Sequence, residues 1–461
     1  MKKLRIGSIV ALSLAAGFIA AAVLVLGPFG GAREHVITGV TLLAFASGWA
    51  MLAVLSILRT DQPQRWAMAP AVVLGLMGAG LLLGAPRGVT LDALGWVWPV
   101  LIFILAITMA AGARQELRSR ARRWCAYPVI ALYALIAVGG AWQTVQDFVD
   151  RQEYKGMGSL VPVDGRRMYL ACRGSGSPTV VLESGLGETS AYWGWIAPTV
   201  ARDTRVCVYD RAGRGRSDEA KAPRDGVGVA ADLRSLLAHV PGPFVLVGHS
   251  SGAQYVRIFA ERYPEEVAGV VLLDPQPAEA LTRLPMFPAF YRVFRRVSAL
   301  FPSLARIGVA RLMFLGDAGG LPPQARKLRR AYSSSARSSR SLRDEFAQLP
   351  TALAQANEAR SLGDVPLIVV TAARDAQEGW LPLQGEMAAL SSNSLHHILA
   401  NATHSSLVEE EPDAQTSSQA IRQVVESARS GRPLAGSSEG RPPTSVVLRT
   451  SSAPARPRPA S

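Results

Sequence analysis

Five apolar stretches, at residues 6–27, 36–58, 67–85, 92–113 and 125–145, fill the first third of this 461-residue chain. Each is close to the ~20 residues that an α-helix needs to cross the hydrocarbon of a bilayer. Lys2, Lys3 and Arg5 precede the first stretch, as basic residues do in a signal peptide, but four further stretches point instead to a membrane domain over 1–150. A soluble, all-buried helical core is the alternative, and it leaves the loop charges unexplained. With the N-terminus taken as cytoplasmic, the inside segments hold Lys2, Lys3, Arg5, Arg59, Arg65, Arg114, Arg118, Arg120, Arg122 and Arg123, against Arg33 and Arg87 in the short outside loops. Five spans then put everything beyond about residue 150 on the far side. The expectation is an integral membrane protein, of a bacterial plasma membrane, with an extracytoplasmic second half.

The net charge of +14 belongs to this topology and to a basic insertion described below; no nucleic-acid-binding motif accompanies it, so no nucleic acid is expected as a partner. Only five of the 49 basic residues are Lys, which reads as codon bias of a GC-rich genome. Three cysteines are too few for a disulfide framework or a zinc site, and neither a metal nor a cofactor is expected.

From residue 159 the pattern changes to short apolar strands alternating with helices, the signature of a mainly parallel sheet covered on both faces. Ser159–Val163 and Arg167–Cys172 flank the hairpin signal Asp164-Gly165. Thr179–Leu182, Arg205–Tyr209, Phe244–Val247, Val267–Leu273, Leu367–Thr371 and Ser394–Leu399 complete eight strands, with helices near 228–239, 252–263 and 413–428. The interval 275–364 breaks this rhythm and carries fourteen Lys+Arg against six Asp+Glu. Segments of that length are usually functional lids or disordered insertions, and a helical, basic lid over the active site is expected. Residues 151–428 then form one domain, and 429–461, rich in Ser, Pro, Gly and Arg, read as a disordered tail.

The chemistry centres on Gly248-His249-Ser250-Ser251-Gly252, where a β-branched run stops and a helical stretch begins. A Gly-x-Ser-x-Gly at such a junction puts one serine on a tight turn, with small neighbours that let the backbone turn and a substrate approach. A serine that attacks acyl groups needs a base, an acid to orient the base, and donors for the oxyanion. Of the six histidines, His35 lies in a membrane loop, His239 ends a helix, His396 and His397 sit within the last strand, and the side chain of His249 should point away from the site. His404, in a loop ahead of a helix, remains as the base. The acid should follow a strand between serine and histidine. Asp375, after Leu367–Thr371, is the leading candidate; Asp274, after Val267–Leu273, is held in reserve, and Glu378 is a weaker third.

These features resemble the α/β-hydrolase superfamily over about residues 159–428. The resemblance rests on the elbow at 248–252, on the order Ser250…Asp375…His404, and on Tyr209-Asp210-Arg211-Ala212-Gly213-Arg214-Gly215-Arg216-Ser217-Asp218, which is similar to the superfamily's Asp-x-x-Gly-x-Gly-x-Ser turn. It implies an oxyanion hole from the backbone N–H groups of Leu186 and Ser251. Ser184 stands where such enzymes often have histidine, so the internal bonds of that loop should differ. It also implies that the strands bearing Cys172 and Cys207 are neighbours and that the two can bridge. Relatives that open epoxides or displace halide typically carry Asp at the elbow; Ser250 points to an acyl-enzyme.

The function expected is a membrane-anchored serine esterase acting on a small-molecule or lipid-like ester, with the bilayer as its other partner and an undetermined oligomeric state. A peptidase, thioesterase or acyltransferase, or a non-catalytic membrane sensor or scaffold, are the alternatives.

Overall fold

The computed structural model describes residues 6–117, 120–153, 156–315, 319–434 and 444–448. The chain divides into two compact units: Met1–Lys155 with Phe290–Asp317 and Arg330–Ala347, and Gly156–Ala289 with Ala318–Arg329 and Gln348–Ser461.

The first unit is helical: α1 Ile6–Leu26, α2 Glu34–Arg59, α3 Met68–Gly84, the short α4 Gly88–Leu94, α5 Trp98–Glu116 and α6 Arg120–Glu153. Among the described residues five helical segments are long and apolar enough to cross a membrane, the third extending over Arg65–Gly84 and the last over Ala126–Glu153. Glycines let the first three approach closely. A Cβ on Gly48 would lie 2.8 Å from the Ser13 carbonyl, and one on Gly78 would lie 2.8 Å from that of Gly39. Small residues at such crossings are how apolar helices gain dispersion contact where lipid is as apolar as leucine.

The insertion does not behave as the single lid expected for 275–364. Its described residues 290–315 and 330–347 pack within the helical unit. The physical cause is charge: Glu34, at the start of α2, is 2% exposed, and a buried carboxylate requires a partner. Arg306 and Arg340 both supply one, Arg340 Nη1 at 2.9 Å, and both also reach Asp92 Oδ1 of α4, at 3.1 and 3.2 Å. Arg311 closes a second group, 3.0 Å from Asp147, 2.8 Å from Asp150 and 3.2 Å from Gln143, all on α6. Burial raises and the two arginines lower the Asp92 carboxyl, and the arginines prevail, holding it below its ordinary value. Three arginines of the insertion are thus matched by carboxylates of the helices they pack on.

The second unit is built on a nine-stranded sheet in the order β1-β2-β4-β3-β5-β6-β7-β8-β9. The strands are β1 Ser159–Val163, β2 Arg166–Arg173, β3 Thr179–Glu183, β4 Val206–Tyr209, β5 Phe244–His249, β6 Val267–Leu273, β7 Leu367–Ala372, β8 Ser394–Leu399 and β9 Thr444–Leu448. Pairing is antiparallel for β1–β2 and β2–β4 and parallel for the rest. The first eight are the eight read from sequence. The ninth corrects the expectation of a tail without structure from 429: the preceding helix runs Glu411–Ser430, and 444–448 add an edge strand to β8. Residues 435–443 and 449–461 lie outside the described residues.

Every residue of β5 is buried, as in a strand covered on both faces. Leu246 packs with Leu233, Val256 and Phe259 of the helices Gly226–Leu237 and Gly252–Arg262, whereas Val245 and Val247 pack with Ile196, Ile421 and Val424 on the opposite face. Cys172 and Cys207 stand directly opposite each other on β2 and β4 and are joined as a disulfide.

Candidate active site

The sheet delivers the serine at its centre. Beyond β5 the backbone reaches Ser250 with φ +54°, a left-handed conformation that non-glycine residues seldom adopt, and then enters the helix Gly252–Arg262. Bonds to the neighbouring strand hold that turn: Ser250 N donates to the Leu273 carbonyl and Gln276 N donates to the Ser250 carbonyl, both at 3.0 Å. The flanking glycines provide clearance. A Cβ on Gly248 would lie 2.6 Å from Ala253 Cα, and one on Gly252 would lie 2.5 Å from the Glu183 carbonyl.

His404 follows β8, and its Nδ1 donates to Asp274 Oδ2 at 2.6 Å. The aspartate that orients the histidine is therefore Asp274, the reserve candidate, and not Asp375. Asp274 leaves the end of β6 with φ +39° and is almost fully buried. Its other oxygen accepts from Ala372 N of β7 at 3.2 Å and from Trp380 Nε1 at 2.9 Å. Asp375 and Glu378 are exposed on the loop after β7. Trp380, which begins the helix Trp380–Ala388 after that loop, donates to Asp274. Both aspartates follow a strand and both precede His404 in sequence, so chain order alone did not separate them.

The segment after β3 is locked from below. Arg211 Nη1 and Nη2 donate to the carbonyls of Ser184 and Gly185, at 2.5 and 2.8 Å, and the same guanidinium pairs with the buried Glu183. Asp210 accepts from Ser190 N at 2.7 Å and Arg216 N at 3.1 Å, which explains the Asp-Arg-x-Gly-x-Gly turn as a buttress. Gly215, at φ +46°, is required there because a Cβ would meet the Asp210 carboxylate at 2.1 Å. Ser184 accepts from Trp193 Nε1 at 2.8 Å and donates to the Thr189 carbonyl at 3.3 Å. Leu186, on this loop, and Ser251, just past the elbow, are the two residues whose backbone N–H groups the resemblance names as oxyanion donors.

A second acid–histidine pair lies beside the first and was not anticipated. His249 is fully buried; its Nδ1 lies 3.0 Å from Glu188 Oε2 and its Nε2 donates to the His404 carbonyl at 3.1 Å. Glu188 also accepts from Gly185 N at 2.6 Å. A Cβ on Gly185 would meet both Glu188 Oε2, at 2.9 Å, and Ser250 Cβ, at 3.1 Å, so the carboxylate and the serine flank one glycine. Burial on its own pushes the His249 imidazole down; the Glu188 charge and hydrogen bond, with the His404 carbonyl, outweigh it and raise the imidazole above its ordinary value. Burial likewise raises Glu188, but the charge and hydrogen bond of His249 and the Gly185 amide hold it below its ordinary value. In sequence Glu188 is an acidic residue in a glycine-bearing loop, with no signal that sets it apart.

His396 is structural: it bonds Thr371 Oγ1 at 2.8 Å, and burial, aided by the charge of His397, pushes it down to about 4. Among the described residues no group of three or more His, Cys, Asp or Glu side chains is placed to hold a metal ion.

The model of the alpha/beta hydrolase family matches residues 180–417, just over half of the chain. The chain belongs to this alpha/beta hydrolase family. An uncharacterized protein of Schizosaccharomyces pombe is 27% identical over 278 residues, 52% of this chain and 50% of that protein. An uncharacterized vacuolar membrane protein of Saccharomyces cerevisiae is 32% identical over 112 residues, 23% of this chain and 17% of that protein. The hydrolase thus spans about half, or less, of the length of the curated relatives it matches. Among solved structures, a thermophilic esterase from Thermogutta terrifontis aligns with a TM-score of 0.46 at 20% identity, covering 58% of this chain and 97% of that one.

Proposed function

We propose that this hydrolase is a membrane-anchored serine esterase that cleaves a carboxylic ester through an acyl-enzyme on Ser250. The observation that carries the reading is the 2.6 Å bond from His404 Nδ1 to Asp274, on a histidine that follows β8, with Ser250 held at positive φ at the end of β5. With its Nδ1 proton committed to a carboxylate, the imidazole presents Nε2 as the base. His404 takes the Ser250 proton as Oγ attacks the ester carbonyl. The backbone N–H groups of Leu186 and Ser251 bind the oxyanion. The tetrahedral intermediate expels the alkoxide, which takes the proton from His404, and water repeats the sequence to release the acid.

Serine at the elbow favours this route over the aspartyl-ester chemistry of epoxide- and halide-cleaving relatives. An amphiphilic, lipid-like ester is the substrate class that suits a chain with five bilayer-length apolar helices. The Cys172–Cys207 bridge supports an extracytoplasmic domain, where disulfides persist, and agrees with the positive-inside count.

A fluorophosphonate probe is expected to label the full-length protein but not Ser250→Ala, and that substitution is expected to lower hydrolysis of short-chain p-nitrophenyl esters by roughly 10³-fold or more. Undiminished hydrolysis by Ser250→Ala would refute the reading.

A further inference from the structure

Part of the insertion presents an exposed apolar surface. On the helix Phe287–Val297, Phe290, Val293 and Val297 are exposed and recur at the spacing of one helical stripe, with Val293 63% exposed. Arg292 and Arg296 are exposed on the adjoining sector. Further on, Leu304, Leu312, Met313 and Leu315 are exposed as well, Met313 at 76%. An aqueous surface would be an unfavourable place for such a run.

The other side of the same segment sets its depth. Ala299 and Leu300 pack with Val25 of α1 and Ile37 and Val40 of α2, and Ser303 bonds Thr38 at 2.7 Å. Arg295 donates to the Gly31 carbonyl between α1 and α2 at 2.6 Å. Val40 lies six residues inside α2, or about 9 Å along its axis from Glu34. The segment therefore lies alongside apolar turns of two bilayer-length helices. It does not cross with them, because Phe287–Arg306 and Val309–Leu315 meet at 86° and the second piece is only seven residues long.

We propose that residues 287–315 form a bent, half-inserted wedge whose exposed apolar face lies in one leaflet of the lipid bilayer, at the boundary of headgroups and acyl chains. Arg292 and Arg296 stand at the level of the headgroups, as cationic side chains do on interfacial helices. The bilayer is the occupant favoured here because the wedge packs on helices that are themselves of bilayer length, and to that extent the inference rests on the membrane reading. The arginines Arg306 and Arg340, bound to Glu34 and Asp92, are the anchors that keep the wedge at this depth.

The test uses the full-length protein in phosphatidylcholine vesicles containing some phosphatidylglycerol. Cys125→Ser leaves the disulfide pair alone, and single cysteines are placed at Val293, at Met313, at the exposed Leu76 of α3 and at the exposed Lys327, each labelled with an environment-sensitive fluorophore. Lipid bearing a doxyl quencher near the headgroup is expected to quench the labels at 293 and 313 at least about twofold, as it would a group buried a few ångströms below the headgroups, and to leave the label at 327 bright, while lipid with the doxyl group deep in the acyl chain quenches the mid-helix label at 76. Quenching at 76 with none at 293 and 313 would overturn the wedge while leaving the membrane reading intact. Shielding of 293 and 313 by a second copy, seen as energy transfer between labelled molecules without lipid quenching, would overturn it too. Absence of quenching at 76 as well would remove both.

Discussion

Substituting asparagine for Asp274 separates the two candidate acids, and the structure supplies the reason for a large effect. Asp274 Oδ1 accepts from Ala372 N and Trp380 Nε1, while Oδ2 accepts from His404. An asparagine keeps its one carbonyl oxygen where two donors already converge and turns its amide NH₂ toward His404. The imidazole then has to accept at Nδ1, which moves its proton to Nε2 and removes the base that the proposed mechanism requires. Wrong-tautomer substitutions of this kind in serine hydrolases cost about 10⁴-fold in kcat, or ~5 kcal/mol of transition-state stabilisation. Asp274→Asn is therefore expected to lower kcat on p-nitrophenyl butyrate by 10³–10⁴-fold with KM little changed, by order of magnitude. Because shape and the bonds from Ala372 N and Trp380 Nε1 are preserved, its melting temperature should stay within a few degrees of the parent, by the usual scale for near-isosteric changes. Asp375→Asn, at an exposed position, should change kcat by no more than about twofold. Loss of activity in Asp375→Asn, with Asp274→Asn still within tenfold of the parent, would refute the assignment.

Two further outcomes follow from groups around this site. The Glu188–His249 pair makes a pH-dependent contribution: the raised His249 stabilises fully below its ordinary 6.5 and less as pH climbs through the raised value, and the lowered Glu188 stabilises above its ordinary 4.5 and less as pH falls. The melting-temperature gap between the parent and Glu188→Gln should thus be widest between those two values and narrow toward alkaline pH; a gap independent of pH would contradict a charged pair. The Cys172–Cys207 bridge closes a loop with a sequence separation of 35, and its reduction or Cys172→Ser should cost roughly 3–4 kcal/mol in chemical denaturation on chain-entropy grounds. Recovery of both thiols free after non-reducing digestion would show that the bridge does not form.

Periodicity and local motifs made most of the architecture legible. Eight strands were readable because most are short apolar runs bounded by turn residues, and the five long helices because bilayer length is a property of contiguous sequence. Gly248, Ser250 and Gly252 announced the elbow because their spacing is local to five residues, although the clearance at Gly252 is set by Glu183 in another strand. His404 could be reached by elimination, as the histidine in a loop after the last of those strands.

What the sequence left open was decided by contacts between residues far apart in the chain. Asp274 and Asp375 have the same local signature, and only the 2.6 Å approach of His404 across 130 residues chooses between them. Glu188 acquires its meaning from His249, 61 residues away. The basic insertion looked like a lid because its length and charge are one-dimensional facts. Its partners, Glu34 and Asp92, lie more than two hundred residues earlier, and a buried carboxylate there draws Arg306 and Arg340 to the helical unit. Local propensity and hydrophobic pattern thus determined the elements and the serine's turn. Pairing of buried charges and hydrogen-bond donors, which depends on distance in space, determined which acid serves the histidine and where the insertion packs.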